Sequence, residues 1–142
     1  MSWDVMVFNY GGSPPHSLSA LPDDHKPEPL GAANLVRDSI SMHLPGVDWS
    51  DPAWGIYGND GFSIEFNSGK DDLVASIMLH VRGGGDAIPA ILQFANPNKW
   101  SLFDCSTGEF IDPQNPSSEG WEGFQAFRDR VMEQSGDKEE TK

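Results

Sequence analysis

A single cysteine, Cys105, stands among 142 residues. It can close no internal disulfide, so the fold must hold by packing, and nothing asks for an oxidising compartment. Basic residues are scarce too: Lys and Arg total 9 against 22 Asp and Glu, a formal charge of −13. Such a chain repels phosphate backbones and anionic membranes, which sets aside nucleic acid and membrane as partners. A partner is expected to be a basic protein. The plainer reading is that the charge only keeps the chain soluble. Long apolar runs are also missing. No stretch approaches the roughly 20 apolar residues that cross a bilayer, and MSWDVMVFNY is no basic, apolar leader. A cytoplasmic location is the default expectation.

Aromatic residues are plentiful. Five Trp and eight Phe, within 37% hydrophobic residues, give more apolar surface than a disordered chain carries. The length suits one domain. It is expected over residues 1–135, with 136–142 a flexible tail. Residues 11–30 hold five prolines and read as a long loop.

Trp3 to Phe8 reads as a strand of β-formers. Val36, Ile40, His43 and Leu44 fall at helical spacing within 32–44, and Pro45-Gly46 stops that helix. Asn59-Asp60-Gly61 separates two β-like runs, a hairpin signal. Phe62, Ile64 and Phe66 alternate with Ser63, Glu65 and Asn67, so one face of that strand is buried. Leu73 to Arg82 reads as one long strand, with Leu73, Ala75, Ile77, Leu79 and Val81 on one face. Ile88, Ile91, Leu92 and Ala95 mark a core-facing helix, capped by Asp86 and ended at Asn96-Pro97. A strand over 100–104, a short one near 107–111 and a last helix over 119–134 complete the chain. The order predicts an α+β fold: an antiparallel-rich sheet of about four to six strands with helices mostly on one face. A ferredoxin-like core with an extra strand is one topology that fits it.

The run HVRGGGDAIPAIL raises the question of a phosphate loop. A Walker loop needs Lys and then Ser or Thr after its last glycine, but Asp86-Ala87 follow here. A dinucleotide loop counted from Gly83 and Gly85 needs glycine at 88, where Ile88 stands. Asp86 would also place negative charge where an anion docks. The glycines therefore read as a tight turn, and no cofactor is expected.

No metal site is expected either. His16, His25, His43 and His80 lack helical ligand spacing, and Cys105 has no partner cysteine. Asp23-Asp24-His25 reads as solvated charge. There is no GxSxG elbow, and Asp104 beside Cys105 would raise a thiol pKa. No catalytic residue is assigned.

Two polar groupings remain. Glu65, His80 and Arg82 lie on strand faces expected to miss the helices, with Asp4 near them. They offer an alternative ligand or acid–base site; the plainer reading is cross-strand charge pairing. Trp49 and Tyr57, among Asp48, Asp51 and Asp60, suit an anchor for a basic protein surface. Trp54, in the same run, reads as core.

IMLHVRGGGDAIPAIL and KWSLFDCSTGEFID carry a family likeness. A glycine turn into an apolar helix, then W-x-L-x-D-x-x-T-G-E, resembles small acidic bacterial immunity proteins of polymorphic toxin systems. The resemblance covers residues 73–112. It implies an antidote that binds a cognate toxin, and it brings no catalytic residue. Three readings therefore stand: a non-enzymatic binder of a basic protein, a ligand binder or enzyme using Glu65, His80 and Arg82, and a subunit of a homo-oligomer. The oligomeric state is left open.

Overall fold

The computed structural model describes residues 2–14 and 26–140. Asp23, Asp24, His25 and His16 lie outside the described residues, as does much of the proline-rich segment. The elements are β1 (Trp3–Phe8), β2 (Gly31–Ala32), α1 (Ala33–His43), β3 (Asp48–Asp51), β4 (Trp54–Gly58) and β5 (Phe62–Asn67). There follow β6 (Leu73–Val74), β7 (Ile77–Gly83), α2 (Ala87–Asn98), β8 (Ser101–Asp104), β9 (Glu109–Phe110) and α3 (Glu119–Glu140).

The fold is α+β. Seven strands form one sheet in the order β3-β4-β5-β7-β1-β8-β9, and β2 pairs with β6 in a small second sheet. Every pairing is antiparallel. Taking β1, α1, β5, β7, α2 and β8 alone gives a β-α-β-β-α-β chain with strand order β8-β1-β7-β5. That is a ferredoxin-like core. The sheet exceeds the expected strand number because Asp48–Asp51 folds back on β4 and Glu109–Phe110 on β8.

Alternation builds the core. Trp3, Val5 and Val7, Ile77, Leu79 and Val81, and Phe62, Ile64 and Phe66 share one buried face. Val36 and Ile40 of α1 and Ile88, Ile91, Phe94 and Ala95 of α2 join them in one cluster. The hairpin before β5 follows its sequence signal. Asn59 Oδ1 accepts the amides of Gly61 and Phe62, both at 2.8 Å.

Three local expectations are corrected. Residues 73–82 are not one strand. Leu73 and Val74 pair with β2, and the chain resets at Ala75-Ser76, so Val74 is buried while Leu73 and Ala75 are exposed. Asp86 precedes α2 but its side chain makes no capping bond. The helix also runs through Pro97 to Asn98 and stops at Lys99, whose φ of 56° is left-handed. Pro97 removes one donor from the last turn, and the helix ends one residue beyond it.

The glycine run serves packing. Gly83 has φ 97°, and a Cβ there would fall 2.4 Å from the Gly61 carbonyl. The carbonyls of the run face α3: Trp121 Nε1 donates to Gly85 at 3.0 Å, and Arg128 Nη1 donates to Gly83. Nearby, the Trp3 indole donates to buried Asp104 Oδ1 at 3.0 Å and lies 5.4 Å from the Trp121 ring. Gly120, at the start of α3, sits against that carboxylate. A Cβ at 120 would lie 2.0 Å from Asp104 Oδ2.

Two substitutions test this junction. Gly120→Ala should destabilise the fold by about 3 kcal/mol, through overpacking on a fixed carboxylate. Trp3→Phe should cost roughly 1–3 kcal/mol, because it strips a donor from a buried acid. Urea unfolding read by far-UV circular dichroism measures both. An unchanged midpoint for Gly120→Ala would disprove the close approach.

Candidate functional site

Residues that alternate with the core point to the opposite face. The buried side chains of α1 and α2 belong to the core cluster on the other side, so neither helix covers this face. The uncovered face is organised in rungs across the strands. One rung runs Asp48–Ile56–Glu65–His80–Asp4, each residue the direct partner of the next. The neighbouring rung runs Trp54–Asn67–Met78–Met6–Phe103–Phe110. A charged row thus lies beside an apolar one, separated by the pleat repeat.

The structure brings Glu65, His80 and Arg82 together. Arg82 Nη1 meets Glu65 Oε1 at 3.1 Å, and His80 Nδ1 meets Asp4 Oδ1 at 2.9 Å. The Ser2 hydroxyl donates to the same Asp4 oxygen. The Trp54 ring stacks on the imidazole, with centroids 5.7 Å apart and planes 19° apart. Among the described residues no nucleophile is aligned on His80: Ser2 Oγ lies nearest Nδ1, the atom Asp4 already holds.

The acidic–aromatic set of the sequence divides between the two faces. Asp48, Asp51 and Asp60 are exposed. Asp48 pairs with Ile56, and Asp51 with Trp54. Asp60 lies in the hairpin turn, away from both. Trp49 and Tyr57 pack against the core side and stay partly exposed. Trp49 donates to Ser41 Oγ at 2.9 Å, packs 5.7 Å from Phe66, and lies so flat on Gly55 that a Cβ there would come within 2.5 Å of its ring. Tyr57 packs 6.0 Å from Phe62. Trp54, expected in the core, instead lies on the uncovered face, and Ile56 beside it is 49% exposed. Strand alternation explains the exchange: Trp54 and Ile56 share one side of β4, Gly55 and Tyr57 the other. That signal was present in WGIYG; the glycine marks where Trp49 lands.

Asp48 stays ionised. Its carboxylate lies below the ordinary range because the Ser50 hydroxyl donates to it at 2.6 Å and the Ser50 amide at 2.8 Å. A depressed folded value contributes stability above the unfolded value, and this is lost as pH falls through the folded one.

An enzyme or small-ligand reading of Glu65, His80 and Arg82 requires a concavity. The five principal clefts of the described residues are lined by none of these three. The largest, about 670 Å³, lies between the start of α1 and two turns, with Arg37, Asp51, Lys70 and Asp72 in its wall. Another, about 430 Å³, runs along α3 past Ser2, Asp4, Cys105 and Phe127. Among the described residues no group of three or more His, Cys, Asp or Glu could hold a metal ion, and no helix is long and apolar enough to cross a membrane. No family model, curated protein or solved structure matches the chain.

Cys105 is exposed as a residue. Its thiol is nevertheless pushed up, first by partial desolvation and then by the Asp4 and Asp104 carboxylates. The thiolate is the reactive form. Iodoacetamide should therefore alkylate Cys105 more slowly than free cysteine near neutral pH, and Asp4→Asn should speed it. Mass spectrometry over time reads both rates; a rate above that of free cysteine would contradict this electrostatic setting.

Proposed function

We propose that this chain is a non-enzymatic acidic recognition domain that docks a basic protein, acting as an immunity protein that neutralises a basic toxin. The supporting observation is the placement of Trp54 and half-exposed Ile56 on the uncovered face, with Asp48, Asp51 and Glu65 as their strand partners or neighbours. Apolar anchors ringed by carboxylates suit a surface where lysine and arginine surround an apolar contact. The net charge of −13 speeds encounter with such a partner and repels nucleic acid and anionic lipid. The likeness of residues 77–92 and 99–112 to immunity proteins supports the toxin as the partner class. The Glu65–Arg82 and His80–Asp4 contacts are cross-strand pairs that hold the face in shape.

Affinity capture from native lysate, read by mass spectrometry, tests the proposal. The wild type should recover a basic protein, with recovery falling as salt rises. Asp48→Lys with Asp51→Lys should slow association with that partner by about tenfold or more. Trp54→Ala should speed dissociation to a similar degree. Thermal melts check that each variant is folded. Association indifferent to all three substitutions would refute this surface.

A further inference from the structure

Asp4 determines what His80 offers to a partner. A carboxylate only accepts, so the 2.9 Å contact between Asp4 Oδ1 and His80 Nδ1 places the imidazole proton on Nδ1. Nε2 of the neutral ring is then a lone-pair acceptor. Among the described residues it has no hydrogen-bond partner; the other polar neighbour, Ser2 Oγ, lies at Nδ1. Glu65 stands directly opposite His80, and Trp54 covers one ring face. Glu65 gives one oxygen to Arg82 and retains capacity to accept.

We propose that the Glu65–His80 pair receives a cationic side chain of the basic partner, and that protonation of His80 breaks the contact. This rests on the docking reading of the same face. Charge complementarity selects the occupant. A second copy of this chain brings another −13, whereas a guanidinium or ammonium brings donors to the Glu65 carboxylate and His80 Nε2 and an apolar stem for Ile56 and Trp54.

The charged and titratable groups around His80 come from each neighbouring strand. Asp4 is on β1, Glu65 on β5, and Arg82 two residues further along β7. Cys105 follows β8, with its amide on the Asp4 carbonyl, and Asp48 lies on the same rung beyond Ile56. A proton on Nε2 turns an acceptor into a donor and adds positive charge beside the incoming cation. Binding is thus present with the ring neutral and lost with Nε2 protonated.

The probe is acetylated triarginine amide, titrated into isotope-labelled protein and followed by NMR. At about pH 8 the shifts should centre on the Trp54 indole, Ile56 and Glu65. Affinity should fall about tenfold by about pH 5, on the scale of one charge-assisted hydrogen bond. The loss should follow the His80 ring-proton titration. His80→Gln should bind equally at both pH values, and Glu65→Gln should bind about tenfold more weakly at the higher one. Shifts centred on the Asp71–Asp72 turn, or a pH profile shared by His80→Gln, would overturn the proposal. Should His80→Gln disturb the sheet, the wild type alone still decides: a binding midpoint unlike that of the His80 ring overturns it. A captured partner sensitive to Asp48, Asp51 and Trp54 but indifferent to Glu65→Gln and His80→Gln would defeat this inference and leave the docking surface standing.

Discussion

The hydrogen bond from the Trp3 indole to the buried Asp104 carboxylate ties four parts of the chain at one end of the sheet. Oδ1 of Asp104 takes the indole N–H, the Ser106 amide and the Ser106 hydroxyl. Burying a carboxylate is costly unless donors meet it, and here three meet Oδ1. β1 is thereby locked to β8, the turn after β8 is shaped, and Gly120 brings α3 onto the carboxylate. Trp121 then packs at a tilt against Trp3 and bonds to the glycine run. The glycine run, which looked in the sequence like a place for a ligand, presents the carbonyls of Gly83 and Gly85 to the protein's own last helix.

The same alternation that buries Val5, Leu79 and Ile64 turns Asp4, His80 and Glu65 outward. α1 and α2 meet one side of a seven-stranded sheet and leave the other as a platform of paired charges beside Met6, Met78 and Trp54. The platform's edge is guarded. The Asp48 carboxylate occupies the Ser50 amide, the pairing of β3 is irregular, and Pro52 follows it. Such an edge resists addition of a further strand. The protein therefore meets a partner through side chains on its face, with little backbone to offer at that rim.

Much of the fold was legible because burial writes a period into the residues. Phe62, Ile64 and Phe66 declared a half-buried strand, Val36 and Ile40 a helix, and their order a ferredoxin-like core. The grouping of Glu65, His80 and Arg82 on a face away from the helices followed from the same period. What failed was phase. Leu73 and Ala75 continue the alternation of Ile77, yet a reset at Ala75-Ser76 hands Val74 to a different partner strand. Trp49 and Tyr57 looked like anchors because acids surround them in the chain; their side of the sheet is decided by pairing, and the space over Gly55 receives the Trp49 ring. The burial of Asp104 left no local mark, since its donors lie at the far end of the chain and in the following turn.

The position of β1 has a consequence for how the molecule comes into being. β1 is an inner strand of the finished sheet, flanked by β7 and β8, and it is made before either of them. Its two neighbours are synthesised only when translation reaches Gly83 and then Asp104. Until then Trp3, Val5 and Val7 lack the strands that flank them in the finished sheet, and the nascent chain carries an apolar strand while the intervening residues are made. The intervening residues carry a net negative charge, which favours separation of unfinished copies.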